Sequence, residues 1–110
     1  MARARDGIAI GSPTYFSNVS WQIKKVIDET YPLRRGKFRL KGKIGGSFTS
    51  SDTKRDAVEC IRLIELSLGL HHQMETVPGI IVTRPDSETV VFDRCRAYGD
   101  LIADKILGVE

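Results

Sequence analysis

Short apolar runs alternate along this chain with longer segments of helical spacing. Gly7-Ile8-Ala9-Ile10-Gly11 is continuously apolar and is followed by Ser12-Pro13. Such a run reads as a strand buried on both faces and closed by a turn. Val19, Ile23, Val26, Ile27 and Tyr31 then form a stripe at helical spacing, with Ser20 as N-cap and Pro32 as the stop. Residues 33–42 read as a basic loop. Residues 43–48, Lys-Ile-Gly-Gly-Ser-Phe, read as a second buried strand, with small residues where a helix packs closely. Residues 49–53 form a hydroxyl-rich turn. The next helix spans residues 54–68, with Ala57, Cys60, Ile61, Ile64 and Leu68 on one side and Gly69 at its C-terminus. A third strand falls within residues 74–82, interrupted by Pro78-Gly79 and clearest at Gly79-Ile80-Ile81-Val82. Pro85-Asp86-Ser87 opens the last helix. Cys95, Tyr98, Ile102 and Ile106 form its apolar stripe and Gly108 closes it.

The order β-α-β-α-β-α predicts an α/β fold: parallel strands joined by right-handed crossovers, in a layered sandwich that occupies residues 1–110 as one domain. In such sheets ligands sit outside the carboxyl ends of the strands. Two polar loops answer to that rule, residues 12–18 and 49–53. Each leads into a helix N-terminus, where free N–H groups favour polar or anionic ligand atoms.

Composition narrows the class without choosing a function. With 110 residues, 41% hydrophobic and 28% charged, the chain suits one small globular domain with a thin core. No apolar run approaches the roughly 20 residues of a membrane helix. The charged start, residues 1–6, has no apolar stretch of the kind a signal peptide carries. Cys60 and Cys95 both fall in helical patterns and read as reduced, buried thiols of a cytoplasmic protein. Net charge is a mild +3, and the basic run of Arg34, Arg35, Lys37, Arg39, Lys41 and Lys43 reads as a solvated face. Only Phe38 interleaves it, so nucleic-acid binding is the minor reading. No serine lies in a Gly-x-Ser-x-Gly elbow, and no metal-ligand spacing occurs. The adjacent His71 and His72 point different ways and do not chelate.

The first loop carries a more specific signal. The stretch from Asp6 through Gly-Ile-Ala-Ile-Gly-Ser-Pro-Thr-Tyr-Phe-Ser-Asn to Gln22 closely resembles the flavodoxin-like NAD(P)H:quinone oxidoreductases of the tryptophan-repressor-binding-protein type. Phe48-Thr49-Ser50 looks like that family's next flavin loop. Leu70-His71-His72-Gln73-Met74 is similar to its His-His-Gly-Met run, with Gln73 in place of glycine. Cys95-Arg96-Ala97-Tyr98-Gly99 resembles its closing helix. The resemblance implies FMN as cofactor. Ser12, Pro13 and Thr14 would then approach the ring edge and ribityl chain. Tyr15 and Phe16 would cover the ring, and Asn18 would hydrogen-bond its polar edge. Thr49, Ser50 and Ser51 match the second flavin loop. His72 matches a histidine near the flavin, in oligomeric members often that of a neighbouring subunit. Plainer readings stand beside these: Gly-Ser-Pro-Thr as a capped turn, Tyr15 and Phe16 as packing aromatics, Thr53 with Asp56 as a capping box, His72 as a structural or interface residue.

The family's domain is a five-stranded parallel sheet of order 2-1-3-4-5, whose first strand leads into a loop around the FMN phosphate. No such loop occurs in this sequence, and the three strands match the family's strands 3, 4 and 5. A truncated flavodoxin-like three-layer sandwich is therefore expected. Weak or absent FMN binding by this chain alone is expected too. The edge of the Gly7–Gly11 strand would be covered by a homo-oligomer or by a separate chain. Complete, the site would serve electron transfer or NAD(P)H-dependent reduction of quinone or flavin, with no catalytic side chain required. The alternative is a non-catalytic interaction protein that kept the fold and lost FMN.

Overall fold

The computed structural model of the chain describes residues 5–108. Of the charged start, residues 1–6, the first four lie outside the described residues. Strand β1 (Gly7–Pro13) leads through a loop into helix α1 (Trp21–Glu29) and a short α2 (Tyr31–Arg34). Then follow β2 (Ile44–Ser51), α3 (Lys54–Glu65) and a π-helical turn over Leu66–His71. Two short strands, β3 (Glu75–Thr76) and β4 (Ile80–Thr83), precede the long α4 (Glu88–Leu107).

All strand pairs are parallel. β2 is central. β1 lies along one side of it in the register Gly7 to Ile44 through Pro13 to Ser50. β3 and β4 follow one another along its other side, at Ile44–Gly45 and at Phe48–Ser51. The expected α/β layering holds. One apolar cluster (Val19, Cys60, Ile64, Leu68, Met74) packs Ile10 and Ile23 beneath α1 and α3. A second (Ile44, Val77, Tyr98) packs with Ile80, Ile102 and Ile106 of α4 on the opposite face.

Local chemistry sets most boundaries. Ser20, Thr53 and Ser87 cap α1, α3 and α4, each hydroxyl accepting a backbone N–H from the first turn. Gly108 ends α4 at φ 75°, a conformation that costs glycine little. Other expectations fail for identifiable reasons. Pro32 does follow the C-cap of α1, Thr30, but the chain does not leave helical structure there: the proline also sits in the first turn of α2, where no N–H is needed. Gly69 lies inside the π-helical turn, and the left-handed residue that breaks the helix away is Gln73, at φ 57°. Thr49, Ser50 and Ser51 belong to β2, not to a turn. Cys95 is exposed and only Cys60 is buried, although both are free as expected. α1 buries no residue fully, because its apolar stripe lies above the outer strand and is only partly covered.

The break between β3 and β4 is bridged by a side chain. The N–H of Val77 donates to Gly45 O at 2.8 Å, so the Ser47 N–H would next meet Val77 O. The Tyr98 hydroxyl stands between them: it accepts from Ser47 N at 2.9 Å and donates to Val77 O at 3.0 Å. Gly46 makes room, since a Cβ there would stand 3.1 Å from that hydroxyl and 2.7 Å from Ile102. Burial holds the Tyr98 phenol above its ordinary pKa, against the opposing effect of its bonds to Ser47.

Tyr98→Phe leaves one buried N–H and one buried C=O without partners. We expect it to cost about 2–6 kcal/mol, from roughly 1–3 kcal/mol per unsatisfied group. A fall in the urea midpoint at unchanged m-value measures this. Because the folded pKa is raised, this residue's stabilisation is present below the ordinary tyrosine pKa and is lost as pH rises through the folded value. The Phe variant should lack that part of the alkaline loss.

Candidate functional site

The carboxyl ends of β1, β2 and β4 meet at one end of the sheet. Side chains there lock β1 to β2. Thr49 Oγ1 donates to Ser12 O at 2.5 Å and lies 2.7 Å from Thr14 Oγ1, and Thr14 N donates to Ser50 O at 3.2 Å. The Ser12 hydroxyl is buried. It donates to Pro13 O at 2.7 Å and accepts from Ser20 N at 3.0 Å, tying the strand end to the start of α1. Ser12 thus offers a ligand no free hydroxyl; its contribution is to hold the loop.

Beyond Thr14 the chain turns back sharply. Tyr15 and Asn18 exchange backbone bonds, each of 2.9 Å, around Phe16 (φ 50°) and Ser17 (φ 64°). Two successive left-handed residues make a type I′ turn, which favours Asn-Gly rather than Phe-Ser. The strain is held in place: Ser17 Oγ donates to Asp56 Oδ1 at 2.9 Å on the first turn of α3. Asp56 therefore does not reach back to complete a capping box, although Thr53 does cap its N–H at 3.4 Å. The Phe16 ring is fully exposed and Tyr15 is more than half exposed, so neither is a packing aromatic. The Asn18 carboxamide oxygen accepts from Val19 N at 2.7 Å, leaving its amide N–H groups free.

Two adjoining hollows flank these strand ends. One, of about 420 Å³, is lined by Thr14, Tyr15, Ser50, Ser51, Thr83 and Arg84 among others. The second, about 380 Å³, lies towards α4 and includes Gly11, Phe48, Ile80 and Cys95. Pro13, Ser50 and Val82 border both. The Phe48 ring floors the second hollow by lying against Gly11, where any Cβ would stand 2.0 Å from it. At the rim Arg84 pairs with Asp52 at 3.3 Å. Sequence patterns did not single out Thr83 and Arg84. The rule that gave the first two loops also covers the third strand, and Thr83-Arg84-Pro85 follows it directly.

His72 does not join this group. It precedes the third strand, so the parallel topology sets it at the amino end of the sheet. Its ring is 4% exposed, with Nε2 lying 2.8 Å from Thr30 Oγ1 at the end of α1. That hydroxyl donates to Ile27 O at 2.6 Å, which leaves it to accept from Nε2–H. Burial lowers the His72 pKa, reinforced by the neighbouring Arg34 and His71 charges. Among the described residues no cluster of three or more His, Cys, Asp or Glu is arranged to hold a metal, and no helix is long and apolar enough to cross a membrane.

Two outcomes follow from this geometry. Replacing Phe16-Ser17 by Asn-Gly should relieve the left-handed strain and raise stability by roughly 1–2 kcal/mol, read from thermal and urea unfolding. For His72, the unfolded chain takes up a proton near pH 6.5 more readily than the folded one. Stability present above that pH is therefore lost as pH falls through the folded value. His72→Gln should flatten this part of the acid limb in urea titrations; an unchanged slope would assign the loss to other groups.

Comparison with known proteins accords with the layout. A family model described as NADPH-dependent FMN reductase matches residues 1–88. A flavodoxin of Clostridium saccharobutylicum is 42% identical over 48 residues, covering 44% of this chain and 27% of that protein. An NAD(P)H dehydrogenase (quinone) of Sinorhizobium fredii is 38% identical over 72 residues, covering 66% of this chain and 36% of that protein. The chain thus spans between about a quarter and just over a third of these relatives' lengths. The crystal structure of a WrbA-like flavodoxin from Agrobacterium tumefaciens superposes with a TM-score of 0.83 at 24% identity, covering 96% of this chain and 68% of that one. With the flavodoxin-like fold and the matched residues together, this chain belongs to the NADPH-dependent FMN reductase family.

Proposed function

We propose that this chain binds FMN through the flavin ring at the carboxyl ends of β1, β2 and β4, and takes part in NAD(P)H-dependent reduction of quinone or flavin. The observation that carries the reading is the groove beside the Thr14–Thr49 hydroxyl pair, walled by the exposed Tyr15 and by Ser50 and Ser51. The family membership and the quinone-dehydrogenase relative support the same chemistry.

The residues present fit a flavin ring. The two hollows have volumes typical of small-molecule sites, on the order of 300–1,000 Å³. Their polar groups are mainly hydroxyls and backbone groups, suited to a neutral heteroaromatic edge. The rim charges, Asp52 and Arg84, face each other, so no lone carboxylate opposes the ligand. Tyr15 and Phe16 would offer flat apolar contact, Asn18 an amide donor, and Pro13 a surface free of competing N–H groups. The bound flavin supplies the hydride and electron chemistry, which asks of the protein only binding, orientation and exclusion of water. Thr14 would orient the ring through its hydroxyl while Thr49, fixed by Ser12 O, holds Thr14 in place. We assign His72 no contact with this chain's own groove; a contact with a neighbouring subunit's flavin is the reading its family match leaves. The free thiols suit a cytoplasmic setting.

Apart from Arg84, no basic side chain among the described residues lines either hollow. Ring contacts would carry the affinity, and FMN should bind weakly to the isolated chain. A partner at the β1 edge, a second copy or a separate chain, would complete the assembly.

Titration with FMN, followed by flavin fluorescence and visible absorption, tests the reading. We expect saturable binding that weakens about tenfold (~1.4 kcal/mol) in Tyr15→Ala and in Thr14→Val. A protein that leaves flavin fluorescence unchanged at high FMN would overturn it and favour the interaction-protein alternative.

A further inference from the structure

One carboxylate ties the strained turn of the first loop to the helix that follows the second. Ser17 Oγ donates to Asp56 Oδ1 at 2.9 Å, while Phe16 and Ser17 hold φ values of 50° and 64°. The turn opens at Tyr15, which lines the groove, and closes at Asn18, the two exchanging backbone bonds of 2.9 Å. Asp56 belongs to the first turn of α3, a few residues after Thr49, Ser50 and Ser51 at the end of β2. It is therefore where the segment after β2 reaches the loop after β1.

Local chemistry offers this carboxylate a nearer partner. Asp56 stands three residues after Thr53, the N-cap of α3. From that position a capping box turns a carboxylate back to the N–H of the N-cap. Here that N–H is already engaged: Thr53 N donates to Ser51 Oγ at 3.3 Å. Ser51 thereby leaves Asp56 to Ser17. Ser17 and Asp56 border a hollow of about 580 Å³ together with Thr53, Arg55 and Glu59. None of these five residues lines either hollow of the groove. Asp56 thus acts on the groove through the turn and not by contact with a ligand.

We infer that Asp56 is a positioning residue for the groove: it holds Ser17, which keeps the left-handed turn closed and Tyr15 in place as a wall, and Ser51 directs it to that bond. The inference rests on the flavin reading of the groove. Two successive left-handed residues other than glycine favour opening of the turn. A hydrogen bond to a charged acceptor, stronger than one between neutral groups, opposes it. A ligand that needs the closed turn binds with an apparent dissociation constant that rises as the closed fraction falls.

FMN titration and amide hydrogen exchange of the ligand-free chain test this together. Ser17→Ala and Asp56→Ala should each weaken FMN binding roughly fivefold, as the closed fraction falls to about one fifth. Both should speed exchange of the Tyr15 and Asn18 amides, and the double variant should be no worse than either alone. Asp56→Asn keeps an acceptor oxygen and should restore most of the affinity. Ser17→Gly loses the hydroxyl but also the strain at that position, and should bind within about twofold of wild type. Glu59→Gln, which removes the other carboxylate of that hollow, should change neither readout. In Ser51→Ala the Thr53 N–H is released to Asp56, so exchange at the turn should quicken without flavin, and adding Asp56→Ala should quicken it no further.

Unchanged affinity in Asp56→Ala would overturn the inference, even with faster exchange, since the bond would then be a tether without effect on the groove. Equal losses in Ser17→Ala and Ser17→Gly would overturn it in favour of direct contact between the hydroxyl and the ligand. A wild type that binds no FMN overturns the flavin reading itself and the positioning role with it. The two failures are distinct, because the first shows only in the variants and the second already in the wild type.

Discussion

The sheet depends on one phenolic hydroxyl inserted between two strands. Pro78-Gly79 interrupts the third strand, and a direct rung from Ser47 to Val77 is replaced by two bonds through Tyr98. A buried N–H and a buried C=O each cost on the order of 1–3 kcal/mol when unpaired, comparable with a sizeable fraction of a small domain's total stability. Tyr98 satisfies both at once, and its ring meanwhile joins Ile44 and Val77 in the apolar cluster under α4. The same residue therefore closes the sheet and docks the last helix. α4 has few other fully buried anchors: Tyr98 is its one buried residue among those described. β4 then pairs with β2 on its own rungs, Phe48 to Ile80 through Ser51 to Thr83, which bring Val82 and Thr83 to the groove.

A second set of bonds does for β1 what Tyr98 does for β4. Thr49 reaches across to Ser12 O and Thr14 Oγ1, and Ser12 reaches back to Ser20 at the start of α1. The Ser12 and Thr49 hydroxyls are spent in this way, which ties the loop to β2 and to α1 before any ligand arrives. Rigidity at this point matters because the next residues are strained. Phe16 and Ser17 both hold positive φ, a conformation that costs non-glycine residues on the order of 1–3 kcal/mol each in unfavourable cases. The exposed Phe16 ring recovers none of that through burial in the isolated chain. The bond from Ser17 to Asp56 and the two backbone bonds of the turn hold it instead. An aromatic kept exposed at structural expense is the pattern of a contact surface, and it follows directly on Tyr15, which lines the groove.

The layering was legible because its causes are local. Apolar runs, hydroxyl caps at Ser20, Thr53 and Ser87, and the terminal Gly108 act within a few residues of themselves. The first loop was legible for the same reason, as a contiguous stretch with a family's signature. What escaped depends on distant partners. Nothing near Tyr98 announces a bond to Ser47, 51 positions away. Cys95 lies on the helical stripe, yet the stripe overhangs a hollow at that turn and the thiol is exposed. Pro32 follows the end of one helix and begins another with the same chemistry, and only the first role was legible. His72 is a different case. A residue before a parallel strand lies at the end of the sheet opposite to a residue after one, so its separation from Thr14 and Thr49 was already implied by the element order.

The same directional logic connects the open edge to the site. β1 is the outer strand, and its residues with outward backbone groups are Gly7, Ala9 and Gly11, the smallest available. Small residues leave the edge accessible and leave its neighbour Ile8 exposed, and the family's strand order 2-1-3-4-5 sets a further strand of the same domain there. β1 is also the strand whose carboxyl end carries Thr14 and the strained turn. Fixing its outer edge removes freedom from the one wall of the groove that lacks a strand beyond it. Order along β1 is therefore order at the groove, because the strand that carries Thr14 at its end is the one that Thr49 and Ser12 lock to β2 and α1.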